Sequence, residues 1–92
     1  MPKITMFYGQ ECPHCHVMGH IADRLAGEGE DIEKLEVWNN EDNAKEMRKF
    51  SEPIMKACEG DLGVPVFLDK DKNRALCGEV SYEKLKEWIN KG

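Results

Sequence analysis

Residues 3–27, KITMFYGQECPHCHVMGHIADRLAG, run a short apolar segment straight into an amphipathic one, with two cysteines at the join. KITMFY (3–8) is apolar and β-rich and stops at Gly9, the pattern of a buried strand. From Pro13 to about Gly27, the apolar positions Val17, Met18, Ile21, Ala22 and Leu25 share one helical face. Pro13 suits a first helical turn, where its missing N–H is no loss. Gly19 in mid-helix costs about 1 kcal/mol against alanine and predicts a kink or a close packing point. Cys12 and Cys15 therefore stand where a strand hands over to a helix. A Cys-x-x-Cys pair there can hold a metal, staple a loop or pass electrons.

The rest of the chain limits the architecture. IEKLEVW (32–38) reads as a second strand with one face only partly apolar. NNEDNAKEMRKF (39–50) opens with capping residues and acids, then spaces Ala44, Met47 and Phe50 as a short helix. Pro53 breaks that helix, and Ile54 to Cys58 can form another turn or two. VPVFLD (64–69) is a third strand with proline at its head, DKDKN (69–73) a polar turn, and RALCG (74–78) a fourth strand. Residues 64–78 thus predict an antiparallel hairpin. Ser81 caps a last helix with a buried stripe of Tyr82, Leu85, Trp88 and Ile89, ended by Gly92. Strand–helix–strand at the start implies a parallel pair with a right-handed crossover. The expectation is an α/β fold: one domain, residues 1–92, with a mixed four-stranded sheet and helices on both faces.

With 92 residues the chain hides roughly 60–65% of the surface its unfolded form would expose. The balance of 13 basic and 18 acidic side chains gives a net charge of −5, and the basic residues are scattered. Nucleic acid and anionic membrane surfaces are therefore not expected partners. The N-terminal apolar run is too short for a membrane span or a signal core, so the expected address is cytoplasmic and the expected state a monomer. In that setting Cys-x-x-Cys reads as redox or metal chemistry rather than as half of a secreted disulfide framework.

This element order, with CPHC (12–15) after the first strand, GVPVF at 63–67 and CGEVSYEKLKEWI at 77–89, resembles the thioredoxin/glutaredoxin fold, in size a glutaredoxin-type member. The resemblance spans essentially the whole chain. It implies a thiol–disulfide oxidoreductase in which Cys12 attacks and Cys15 resolves. It also implies a cis peptide bond between Val64 and Pro65, and Gly78 near the active end of the last strand. Val64 would pair with substrate backbone as an added strand does. Implied partners are protein or small-molecule disulfides or a reductase donor, with no organic cofactor; glutathione is a further candidate, although Gly63-Val64-Pro65 and Cys77-Gly78 stand where glutaredoxins typically carry Thr-Val-Pro and Gly-Gly.

The residue types suit that chemistry. The thiolate is the nucleophile in disulfide exchange, and a helix N-terminus favours it. Cys15, about one turn further on, would lie inward and within reach. Pro13 and His14 fill the spacer. His14, when protonated, adds positive charge near Cys12 and makes the pair a stronger oxidant. The Pro-His dipeptide resembles that of strongly oxidising disulfide-forming enzymes, which implies a less reducing potential than a Gly-Pro loop gives. Thioredoxins carry a buried acid where this chain has Met6. Proton transfer from Cys15 then falls to water or another group, Glu11 being a candidate.

Cys58 and Cys77 admit three readings: two buried inert thiols, a second disulfide of structural or relay kind, or metal binding together with Cys12 and Cys15. A metal or iron–sulfur module built on these cysteines is the alternative function. A redox-inert adaptor is a third, against which the intact Cys-x-x-Cys argues. His16 and His20, at i and i+4, have metal-pair spacing but no HExxH, and read as a solvated face. Asp69, Asp71 and Asn73 imitate a calcium loop but meet Arg74 and Val80 where glycine and glutamate are required. Trp38 ends a strand at the Cys12 edge and is a candidate for the substrate groove, with ordinary packing the competing reading.

Overall fold

The structure, a computed structural model, describes residues 3–91. Four strands, β1 (Ile4–Tyr8), β2 (Ile32–Glu36), β3 (Val66–Asp69) and β4 (Arg74–Cys77), form one sheet in the order β2-β1-β3-β4. β1 and β2 are parallel, while β1 with β3 and β3 with β4 are antiparallel. Four helices cover the sheet: α1 (Pro13–Gly27), α2 (Glu41–Arg48), α3 (Ser51–Ala57) and α4 (Tyr82–Lys91). This is the mixed α/β sheet expected, and the turn or two of helix expected from Ile54 to Cys58 is α3, which starts earlier, at Ser51.

Strand alternation divides the apolar residues between the two faces. Ile4, Met6 and Phe67 pack under α1 and α4 with Met18, Ala22, Leu25, Leu85 and Ile89. Phe7, Val66 and Leu68 pack on the other face with Met47 and Ile54 from α2 and α3. The central strands β1 and β3 are buried on both faces, which is why they read as continuous apolar runs. β2 is an edge strand, so its polar residues have places to go. Glu33 accepts the Thr5 hydroxyl at 3.0 Å, and Lys34 pairs with Asp23 of α1 at 2.8 Å.

Several boundaries differ from the sequence expectation. α1 buries Cys15, Met18, Ala22 and Leu25, so its stripe begins at the second cysteine, and Val17 stays 48% exposed. Gly19 is not a close packing point, since a Cβ there would meet nothing within 4 Å. β2 ends at Glu36, although Val37 N–H still donates to Tyr8 O at 2.8 Å. The helix expected over 39–50 is α2 alone, capped by the Asn40 side chain on Asn43 N–H at 3.1 Å. Pro53 lies inside the first turn of α3, not at the break. It has no N–H for the Lys49 carbonyl and its ring crowds it, so the chain leaves the helix at Lys49–Phe50 and restarts at Ser51. β3 starts only after Pro65, and β4 ends before Gly78. Ser81 Oγ accepts the Lys84 N–H at 3.1 Å, as an N-cap does. Trp88 is only partly buried, with the Arg74 guanidinium 4.2 Å from its ring centre. Gly92 lies outside the described residues.

Candidate active site

Register brings the site residues to one edge. β1 and β2 run parallel, so Tyr8 and Glu36 end side by side and lead into Gly9–Cys12 and Val37–Asn39. Val66 faces Phe7 on one side and Cys77 on the other, so Pro65 and Gly78 reach the same edge from the hairpin. The Val64–Pro65 peptide bond is cis. Pro65 O accepts the N–H of Gly78 at 2.8 Å, and Gly78 holds φ of 93°, a left-handed value glycine adopts freely.

Cys12 is the N-cap of α1, with Pro13 at the first helical position. Its N–H donates to Gly9 O at 3.1 Å, and its carbonyl accepts from Cys15 N–H at 3.1 Å and His16 N–H at 3.2 Å. The Cys15 N–H also donates to Cys12 Sγ at 3.2 Å. Negative charge on that sulfur meets an amide donor and the positive end of the helix. Both thiols are free, with Cys12 5% and Cys15 3% exposed. Burial pushes the Cys15 thiol up to about 12, assisted by its hydrogen bond with Cys12 and by the charge on Cys12. The arrangement separates a sulfur suited to carry charge from one held protonated behind it.

His14 is exposed, and its Nδ1 lies 3.5 Å from Glu79 Oε1. The imidazole beside the cysteines thus has a carboxylate partner from the loop after Gly78, a residue the sequence reading did not single out.

No family model matches the chain, and no curated protein does. Among solved structures, a glutaredoxin from Archaeoglobus fulgidus superposes on it with a TM-score of 0.68 at 27% identity, covering 98% of this chain and 88% of that one. The chain has a glutaredoxin-like thioredoxin fold.

Other features of this glutaredoxin-like chain were left open or unseen in its sequence. Cys58 and Cys77 form a disulfide, with Cα atoms 5.3 Å apart. Of the three readings for these cysteines the disulfide is the one formed; the two sulfurs are not inert thiols and do not join Cys12 and Cys15 around a metal. The bond ties the C-cap of α3 to the end of β4, and a Cβ on Gly63 would stand 3.9 Å and 4.0 Å from its sulfurs. It therefore lies beside the loop that carries Val64 and Pro65.

Glu36 is the second surprise. Its carboxylate accepts the N–H groups of Gln10 at 2.9 Å, Trp38 at 3.2 Å and Asn39 at 2.7 Å. Burial pushes this acid up, but the hydrogen bonds from Gln10, Asn39 and Trp38 outweigh it and hold the carboxyl below its usual value. One side chain thus pins the loop before Cys12 to the loop after β2. Asn39 also donates to both oxygens of Glu11 at 3.2 Å, so Glu11 is occupied in the same network.

Trp38 is 53% exposed and sits against Gly9, next to the carbonyl that holds Cys12 N–H. It is a surface residue at the site edge and not part of the core. His16 and His20 are exposed on α1, and among the described residues no group of three or more His, Cys, Asp or Glu side chains is placed to hold a metal. The imitation calcium loop is a turn in which Asp69, 1% exposed, accepts Lys72 N–H at 3.3 Å and pairs with Arg74 at 3.1 Å.

Proposed function

We propose that the protein is a thiol–disulfide oxidoreductase using Cys12 as attacking and Cys15 as resolving thiol. The observation that carries this reading is the Cys12 sulfur at the N-terminus of α1, accepting the Cys15 N–H, with the protonated Cys15 thiol buried behind it. Cys12 thiolate attacks a substrate disulfide, one substrate sulfur leaves as thiolate, and a mixed disulfide forms. Cys15 then attacks Cys12 Sγ, closing the Cys12–Cys15 disulfide and releasing the second substrate sulfur with two electrons transferred.

Pro13 sets the helix start, and His14 tunes the pair electrostatically. Val64, presented by the cis Pro65, offers its backbone to an extended substrate segment, with Trp38 and Gly78 on either side of that groove. Protein disulfides are the substrate class this favours, with a dithiol reductase or glutathione as electron partner. The test is disulfide reduction by wild type and by Cys12→Ser and Cys15→Ser variants. Cys12→Ser is expected to be inactive, and Cys15→Ser to accumulate a mixed disulfide seen as added mass. Undiminished turnover of a dithiol-requiring substrate by Cys12→Ser would refute the assignment.

A further inference from the structure

We propose that the cavity beside α1 is the route by which Cys15 gives up its proton during resolution, with the imidazoles of His16 and His20 as acceptors. This rests on the thiol–disulfide reading above and concerns its second step.

Resolution poses a physical problem here. Cys15 is 3% exposed, and on one side it faces Cys12, which carries the substrate once a mixed disulfide has formed. Attack requires a thiolate, so the proton must leave by another side. A cavity of about 140 Å³ reaches Cys15 from elsewhere. Its titratable lining is Tyr8 of β1, Lys34 of β2, and Cys15, His16, His20 and Asp23 of α1. This space is large enough for several waters.

The sequence keeps the space open. Gly19, one turn beyond Cys15, is also in the wall, and a Cβ there would touch nothing within 4 Å. A helix-weakening residue is therefore explained by what it leaves empty rather than by what it packs against. Asp23 is engaged by Lys34 at 2.8 Å, so its carboxylate is already paired. His16 Nε2 lies 2.8 Å from Gln10 O. A carbonyl oxygen only accepts, so Nε2 carries the hydrogen, and in the neutral ring Nδ1 is left as the acceptor. Among the described residues, His16 Nδ1 and the His20 ring are the cavity's nitrogen bases that make no hydrogen bond.

The step balances as follows. The Cys15 S–H proton passes through water to an imidazole nitrogen. The Cys15 thiolate attacks Cys12 Sγ, the Cys15–Cys12 bond forms, and the bond from Cys12 to the substrate sulfur breaks. That sulfur leaves with the electron pair and takes a proton from solvent, and the imidazolium returns its proton to bulk water.

An aromatic disulfide whose thiolate absorbs visible light separates the two steps in one turnover. Attack by Cys12 releases the first equivalent, and resolution by Cys15 releases the second. A His16→Gln/His20→Gln variant is expected to slow the second release at least about tenfold at neutral pH and leave the first unchanged. Its second phase should lose the rise with pH across the range where imidazoles titrate, and added imidazole should restore the rate. Gly19→Leu, which fills the space and raises helix propensity, should slow the second release without rescue by imidazole. Wild-type second-phase rates and pH profiles in both variants overturn the proposal, as does equal slowing of both phases. If wild type releases no thiolate at all, the oxidoreductase reading fails, and this inference fails with it.

Discussion

Trp38 rests on Gly9 so closely that a Cβ at Gly9 would stand 2.2 Å from indole Cδ2. Gly9 in turn accepts the Cys12 N–H, so the indole, the glycine and the cap of α1 form one chain of contacts. Gly9→Ala must displace the indole or the loop. The expected loss of stability is about 1–3 kcal/mol, read from urea unfolding, with a change in tryptophan emission in the native baseline. An unchanged midpoint and spectrum would show that the contact is not maintained.

Cys15, raised to about 12 by burial, gives a pH signature. A thiol whose folded value lies above the ordinary 9.0 binds its proton more tightly when folded. That stability is present below pH 9.0 and is lost as pH rises toward about 12. Unfolding midpoints of the dithiol form should fall over that alkaline window, and Cys15→Ala should flatten the slope. For the same reason iodoacetamide at neutral pH should modify Cys12 well before Cys15, as peptide mapping would reveal.

Acid works in the opposite direction. Glu28, hydrogen-bonded by Tyr82, and Glu46, bonded by Lys70 and Lys49, lie below the usual 4.5, as Glu36 does. A depressed carboxylate stabilises the fold above that value and loses its contribution as pH falls through the folded value. Stability should decline below about pH 4.5. Glu36→Gln should also loosen the segment before Cys12, seen as faster amide exchange at Gln10 and Asn39.

The Cys58–Cys77 bridge closes a loop across a sequence separation of 19. Chain-entropy arguments assign such a cross-link about 3 kcal/mol. A Cys58→Ser/Cys77→Ser variant should unfold at correspondingly lower denaturant. It should retain the Cys12–Cys15 couple when thiols are counted in glutathione buffers. A stability loss near zero would mean the bridge does not constrain the unfolded chain.

His14 and Glu79 make an exposed contact at 3.5 Å, a geometry of small energetic consequence for folding. Its effect should appear in the redox couple instead. Removing the imidazole with His14→Ala takes away a ring that adds positive charge near Cys12 when protonated, and should make the potential more negative by tens of millivolts, 30 mV being about 1.4 kcal/mol. Glu79→Gln should move it the other way by less, since it takes a negative charge away from the reduced site.

The elements themselves were plain in the sequence because each depends on local periodicity. KITMFY, the α1 stripe, the hairpin over 64–78 and the α4 stripe are patterns any neighbour-blind reading finds. Cys-Pro-His-Cys announced its place at a helix start for the same reason: proline and cysteine spacing are local constraints. Errors gathered where a boundary is set by something distant. β2 stops at Glu36 because that side chain turns back to bond Gln10, Trp38 and Asn39. β3 starts late because Val64–Pro65 belongs to the site loop.

What the chain by itself determined, then, was a mixed sheet with a Cys-x-x-Cys pair at the first strand-to-helix junction, since apolar spacing and proline geometry act within a few residues. Tertiary structure alone decided which of three fates Cys58 and Cys77 took, that Gly19 borders a cavity and not a packed neighbour, and which carboxylates hold the site. Those outcomes depend on distances between residues far apart in sequence, and only strand register, which brings Cys77 beside Val66 and Lys34 beside Met6, sets those distances.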